Sequence, residues 1–198
     1  MKALRIALWV MVAVFSGVAA YGYLTIGNKP SVIEASSVKI GGPFNLVDHR
    51  GEAITQTAFE GRDHAIFFGF THCPDICPTT LYEVAGWLDK LGDEGDDIDF
   101  YFFTVDPERD TPQVMADYVN AFDARITGVT GDTDAMMETV ASYKGYAKRV
   151  DLDDGDYTMD HSAFVMLFDE TGDFKGTISY GENPDVALQK LRRLTQDG

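Results

Sequence analysis

The chain has 198 residues, of which 45% are hydrophobic and 24% are charged, a balance typical of folded globular proteins and not of disordered ones. All 32 acidic residues but only 14 of the 16 basic residues lie after Asn28, so this part of the chain carries 18 net negative charges. Such a charge keeps a protein soluble and would suit cations or a basic partner, but it repels phosphate backbones, which argues against nucleic-acid binding.

The N-terminal segment, residues 1–28, is predicted to be a membrane anchor or a signal sequence. After Lys2 and Arg5 it contains no charged residue. About 20 apolar residues in a helix cross the hydrocarbon core, and basic residues before them stay in the cytoplasm. Alternatively, Ile6–Phe15 is the apolar region of a signal peptide and Val18-Ala19-Ala20 its cleavage site. Both alternatives export the rest of the chain, to the periplasmic side of a bacterial inner membrane or its equivalent.

Residues 29–40 are predicted to be a linker, and residues 41–198 a single α/β domain. The domain begins with Pro43–Val47 and Glu52–Thr55, which alternate about a polar turn and indicate a β-hairpin. The next element, Ala65–Phe70, is a continuous apolar run, as expected for a central strand buried on both faces.

Helices and strands alternate in the middle of the domain. Apolar residues fall at helical spacing from Leu81 to Leu91, and a second buried strand is predicted at Ile98–Val105. Thr111-Pro112 opens another helix, with a good N-cap followed by proline at the first helical position. A short strand at Ile126–Val129 and a helix at Asp132–Tyr143 complete the alternation.

The last elements are a hairpin, Ser162–Phe168 and Phe174–Ser179, and a helix that begins at Asn183-Pro184. Before them, the acidic run 151–156 lacks the glycine and glutamate positions of a calcium loop and is predicted to be a solvated hairpin tip. The order of elements predicts a central mixed sheet with helices on both faces. Cys73, at a strand-to-helix junction, makes the thioredoxin-like fold the natural candidate.

The chain contains two cysteines, Cys73 and Cys77. In an exported protein two thiols usually form a structural disulfide, but a bridge across so short a loop removes little entropy from the unfolded chain. Cys73 precedes a helix, whose free N–H groups and positive end stabilise the thiolate, the form that reacts and binds metals. The spacing places the two Cα atoms about 6 Å apart on one helical face, compatible with a disulfide or a shared metal.

His161 is the best candidate for a third metal ligand. It stands in Met159-Asp160-His161-Ser162, directly before an apolar strand. Two thiolates and one imidazole suit Cu(I) and tolerate Cu(II), whereas a structural zinc site normally has a fourth protein ligand. Asp160 or a nearby carbonyl could orient the imidazole, and Met159 is either an additional soft ligand or a simple loop residue.

The other three histidines are weaker candidates. His72 is adjacent to Cys73, but neighbours in an extended chain point to opposite faces. His49 is expected in a hairpin turn and His64 at the entrance of a strand, and both are expected to be exposed.

The chain resembles the Sco/SenC family, copper-binding proteins of cytochrome c oxidase assembly. Three separated motifs carry the resemblance: Gly69-Phe70-Thr71-His72-Cys73-Pro74-Asp75-Ile76-Cys77-Pro78, Val105-Asp106-Pro107-Glu108-Arg109-Asp110-Thr111-Pro112, and Asp160-His161-Ser162. The resemblance implies a thioredoxin-like fold with copper bound by Cys73, Cys77 and His161. It also implies delivery of copper to, or reduction of cysteines in, the dinuclear copper site of an oxidase subunit, with other copper chaperones as further partners. For 106–110 we expect a structural or partner-docking role.

Three functions are therefore considered. A copper metallochaperone, which binds and transfers a metal and is not an enzyme, needs all three ligands. A thiol–disulfide oxidoreductase, in which Cys73 and Cys77 form the redox pair, does not need His161. A thiol peroxidase shares the fold but generally has threonine three residues before its reactive cysteine, where this chain has Phe70.

Overall fold

The computed structural model describes residues 2–26, 39–153 and 155–196 and contains two compact units, residues 1–38 and residues 39–198. In the first unit, helix α1 spans Lys2–Ile26. Among the described residues, no helix combines the length and the apolar character needed to cross a bilayer. The membrane helix expected in residues 1–28 is therefore not supported, and most of the expected linker lies outside the described residues.

The second unit is an α/β domain of nine strands and four helices within the described residues. In chain order these elements are β1 (Asn45–Asp48), β2 (Ala53–Thr55), β3 (Asp63–Gly69), α2 (Ile76–Leu91), β4 (Ile98–Thr104), α3 (Pro112–Asn120), β5 (Ile126–Thr130), α4 (Thr133–Ser142), β6 (Ala147–Asp151), β7 (Tyr157–His161), β8 (Phe164–Phe168), β9 (Phe174–Ser179) and α5 (Pro184–Gln196). Short 3₁₀ helices occupy Gln56–Phe59 and Gly92–Asp97.

Seven strands form one mixed sheet in the order β2-β1-β5-β4-β3-β8-β9. The central strands β3, β4 and β5 are parallel, whereas β8 runs antiparallel to β3. Every residue of β3 is buried, as its continuous apolar sequence predicts. The carboxyl ends of β3 and β4 are adjacent, because Gly69 pairs with Thr104. Because β8 is antiparallel to β3, it begins at this same end of the sheet. The segments that follow β3 and β4 therefore meet the segment that precedes β8.

Helices cover both faces of the sheet, as predicted. Neighbouring residues of a strand point to opposite faces, and Phe102 and Phe103 of β4 do so. Phe102 packs on Tyr118 of α3, with ring centroids 5.7 Å apart. Phe103 packs on Phe68, which in turn contacts Tyr143 at the end of α4. The mixed sheet and the two helical layers confirm the α/β, thioredoxin-like architecture expected from the sequence.

Two predicted helix starts are confirmed in detail. The Thr111 hydroxyl accepts a hydrogen bond from the Val114 amide, and Pro112 follows at the start of α3. The Asp132 carboxylate accepts bonds from the amides of Asp134 and Ala135 at the start of α4. Both caps satisfy amides that have no partner inside their helix.

The strands β6 and β7 were not predicted, although their acidic tip was. They form a separate two-stranded sheet and not part of the central one. All of their residues are half-buried or exposed, so no alternation of apolar and polar residues reveals the strands in the sequence. His161 is the last residue of β7 and stands shortly before β8.

Candidate metal centre

The cysteine loop, residues 70–77, follows β3 and enters the first turn of α2. Cys77 is fully buried and Cys73 is half-buried. The amide of Cys77 points at the Cys73 sulfur, with N and Sγ 3.5 Å apart. Asp75, at the N-cap position, makes no side-chain cap, so the free amides of the helix start are available to the Cys73 sulfur. Both thiols are free, and the disulfide considered from the sequence is not formed in this structure.

The two thiols differ in their affinity for a proton. The pKa of Cys73 is lowered to about 3, and a hydrogen bond between the two thiols is the largest cause; the same bond, followed by burial, raises the pKa of Cys77 far above its usual range. Burial raises both pKa values, but the backbone amides of Cys77 and Asp75 stabilise the Cys73 thiolate. Cys73 is therefore the half-buried, reactive thiolate, and Cys77 is the fully buried thiol next to it.

Gly69, the last residue of β3, makes room for the Cys77 sulfur. A Cβ atom built on Gly69 would lie 2.6 Å from Cys77 Sγ and 2.7 Å from a ring carbon of Phe102. Such distances are well below van der Waals contact, so only glycine leaves the sulfur where it is.

His161 approaches the sulfurs from the end of β7. Its Nδ1 lies 2.9 Å from the carbonyl oxygen of Ser162, and its Nε2 lies 3.5 Å from Cys77 Sγ. Because a carbonyl can only accept, Nδ1 is assigned the proton and Nε2 is left as the lone pair that faces the thiols. The carbonyl, and not Asp160, therefore orients the ring, since Asp160 is exposed. The rings of Phe67 and Phe70 contact the imidazole on its other sides.

The three predicted ligand atoms converge. Cys73, Cys77 and His161 offer two sulfurs and one nitrogen that all lie within 4.8 Å of one another. An ion held at 2.0–2.3 Å from such ligands needs them roughly 3.5–4 Å apart, so a small contraction suffices. Two soft sulfurs and an imidazole favour copper over harder metals. No other group of this kind occurs among the described His, Cys, Asp and Glu residues.

The cluster opens to solvent through a cavity of about 300 Å³. The cysteine loop forms one wall, and the β6–β7 hairpin forms the other. The lining residues are Phe70, Cys73, Pro74, Ile76, Tyr146, Thr158, Met159, Asp160 and His161. Met159 thus borders the site; it belongs to strand β7 and is partly buried against the core.

The other histidines do not join the cluster. His72 is exposed, and its Nδ1 lies 3.8 Å from Asp110 Oδ1. His64 was expected to be exposed, which is wrong: its ring is buried and stacked between Phe59 and Phe168, with ring centroids 4.3 and 5.0 Å away. His49 is half-buried, and its Nδ1 accepts a hydrogen bond from the amide of Gly128.

Asp110 supports the cysteine loop from the neighbouring segment, residues 105–111, which follows β4. Its fully buried carboxylate accepts hydrogen bonds from the amide and the hydroxyl of Thr71, at 3.0 and 2.5 Å. It also accepts one from the Thr104 hydroxyl at 2.5 Å. From the sequence, a structural or partner-docking role was expected for residues 106–110. The specific contact between Asp110 and Thr71 could not be predicted, because it requires β3 and β4 to pair.

Comparison with known proteins gives consistent matches. The family model described as SCO1/SenC matches residues 33–196. The yeast "Protein SCO2, mitochondrial" is 37% identical over 163 residues, which are 81% of this chain but only 54% of that protein. The "SCO2-like protein RP587" of Rickettsia prowazekii is 39% identical over 71% of this chain and 69% of its own length. The structure of Bradyrhizobium japonicum ScoI with copper bound is 43% identical and covers 78% of this chain and 99% of its own, with a TM-score of 0.73.

Proposed function

Because this chain belongs to the SCO1/SenC family, we propose that it is a copper metallochaperone whose Cys73, Cys77 and His161 hold one copper ion. The proposed destination of the ion is the dinuclear copper site of cytochrome c oxidase, so copper is a cargo and not a permanent component. The observation that carries the proposal is the convergence of two sulfurs and one imidazole nitrogen within 4.8 Å. The copper-bound structure of the Bradyrhizobium relative supports the choice of metal.

The form of the cluster suits reversible binding. Cys73 already favours the thiolate, so copper displaces few protons from it. The open cavity beside Cys73 gives a partner's ligands access to the metal without unfolding of the domain. A three-ligand site also leaves coordination positions at which an incoming ligand can bind before the old ones leave.

Metal analysis and absorption spectroscopy of the purified, reduced chain test the assignment. We expect one copper per chain, with sulfur-to-copper charge-transfer bands for Cu(II). Cys73→Ser, Cys77→Ser and His161→Ala are each expected to lose the bands or weaken copper retention. His72→Ala, which removes an exposed histidine next to the site, is the matched control and should retain both. Full-strength, spectroscopically unchanged copper in His161→Ala would refute the assignment.

Transfer to a partner is a separate step and has its own test. Copper-loaded chain is mixed with the metal-free soluble domain of the oxidase subunit that carries the dinuclear copper site. We expect the absorption of the dinuclear site to develop in the acceptor while copper leaves the donor. An acceptor that gains copper no faster from the loaded chain than from free copper at the same concentration would argue against a delivery role.

The thiol pair also supports a second candidate, a thiol–disulfide oxidoreductase that reduces the cysteines of the same oxidase site. In such a reaction the Cys73 thiolate attacks a partner disulfide, and Cys77 then attacks the mixed disulfide, releasing two partner thiols and leaving a Cys73–Cys77 disulfide. The low pKa of Cys73 and the high pKa of the buried Cys77 match a nucleophile and a resolving thiol.

The two candidates respond differently to substitution. His161→Ala should leave disulfide reduction largely active, whereas Cys77→Ser should trap the mixed disulfide with the partner. If the Cys73–Cys77 couple is more oxidising than the target disulfide, the reductase candidate fails.

We further propose that the domain works on the exported, oxidising side of a bacterial inner membrane. The uncharged segment after Arg5 supports export under either interpretation of residues 1–28. Protection of the domain from external protease in intact spheroplasts would contradict this location.

A further inference from the structure

The hairpin that carries His161 has few attachments to the rest of the domain. This histidine hairpin, residues 147–161 of β6 and β7, is described except for residue 154, and its strands pair only with each other. At its base, the amide and carbonyl of Tyr146 bond to Ser162. Its outer half must be held by side chains, because no ladder of backbone hydrogen bonds joins it to the central sheet.

Tyr157, at the start of β7, provides that attachment. Its ring lies between two guanidinium groups, with Arg109 Cζ 3.7 Å and Arg149 Cζ 3.6 Å from the ring centroid. Its hydroxyl donates a hydrogen bond of 2.8 Å to Asp106 Oδ1. The ring is thus held on both faces and at its edge, a geometry in which guanidinium groups bind aromatic rings well.

Arg109, which follows β4, binds both Asp106 and Tyr157. Its Nε donates to the second carboxylate oxygen of Asp106, and its Nη1 donates to the carbonyl oxygen of Tyr157 at 3.1 Å. The Asp106 side chain is 3% exposed and that of Arg109 is 18% exposed, so water weakens these interactions little. Arg149, on the other face of the ring, is half exposed and pairs with solvated Glu108 and Asp151. Arg109 is therefore expected to hold the Tyr157 ring more strongly than Arg149 does.

The same short segment supports both halves of the metal centre. Asp110 holds the cysteine loop through Thr71, as described above, and Arg109 and Asp106 lie one and four residues before it. The spacing between the cysteine loop and the histidine hairpin is consequently fixed by residues that contact neither the sulfurs nor the imidazole.

We propose that Asp106 and Arg109 are positioning residues that, through Tyr157, hold the histidine hairpin so that His161 Nε2 faces Cys73 and Cys77. This inference extends the proposed copper binding. One of its two measurements, the copper affinity, rests on that proposed function. The other measurement, the mobility of the metal-free hairpin, does not depend on copper.

Arg109→Gln in the full chain tests the proposal, with Arg125→Gln as a matched control. Arg125 is also ion-paired, with Asp89 and Asp123, but it lies away from the hairpin. In the metal-free protein, amide hydrogen exchange over residues 157–161 should rise at least about tenfold in Arg109→Gln and remain at the wild-type level in Arg125→Gln. Copper affinity should fall about 10- to 100-fold in Arg109→Gln only, the usual cost of losing a residue that orients a ligand. Its Cu(II) absorption bands should also shift.

Equal exchange and equal copper affinity in the two arginine variants would overturn the proposal. If Arg109→Gln does not fold, Tyr157→Phe decides: it keeps the ring between the arginines and removes only the hydroxyl that bonds Asp106. Faster exchange in Tyr157→Phe supports the proposal, and wild-type exchange overturns it. A wild-type chain that binds no copper would refute the proposed function, and the exchange measurement alone would then decide this inference.

Discussion

Gly69→Ala is expected to reduce both the stability of the domain and its binding of copper. The added methyl group would lie 2.6 Å from Cys77 Sγ and 2.7 Å from Phe102. Normal contact needs about 3.5–4 Å, so the sulfur or the ring must move by about 1 Å. Overpacking of this kind costs about 1–3 kcal/mol of unfolding free energy. A displacement of about 1 Å also greatly exceeds the ±0.2 Å tolerance of metal–ligand distances, so copper binding should be lost as well.

Urea denaturation and copper titration of the same samples provide the assay, with two glycine controls. At Gly131 a methyl group would lie 2.9 Å from Leu46 and not against either sulfur, so Gly131→Ala should lose stability but keep copper. At Gly86, in α2, nothing lies within 4 Å, and alanine should be neutral or slightly stabilising. Wild-type copper affinity in Gly69→Ala would refute the reasoning, because it would show that the Cys77 sulfur does not need the space that glycine leaves.

Two further predictions concern buried polar groups. Asp110→Asn replaces one of the oxygens that accept bonds around Thr71 with an amide donor, so unfolding free energy should fall by about 1–3 kcal/mol in denaturant titrations, and an unchanged midpoint would contradict this role. Burial lowers the pKa of His64, so the unfolded chain binds the proton more readily and stability should fall as the pH drops below about 6.5. His64→Phe, with the new ring between Phe59 and Phe168, should reduce this loss between pH 7 and pH 5; an identical loss in both proteins would contradict the assignment.

Much of the fold could be predicted from local patterns. The buried run that became β3, the threonine cap of α3 and the acidic cap of α4 are each encoded within a few neighbouring residues. The hairpin β6–β7 was missed because none of its residues is fully buried and its strands carry no alternating pattern. His64 was misassigned because one histidine at a strand entrance carries no sign of the two aromatic rings that enclose it.

Reading the sequence was enough to predict the order of the elements, the junction at which both cysteines stand and the choice of His161 as third ligand. These features depend on residue type, on spacing and on resemblance to a family. Three features became visible only in the folded domain: His161 Nε2 faces Cys77, 84 positions away, the Ser162 carbonyl orients the ring, and Asp110 and Arg109 support the two sides of the site. Such contacts form where distant strands pair and their ends meet at one end of the sheet. The residues next to each of these side chains in the sequence do not reveal which side chain it will contact.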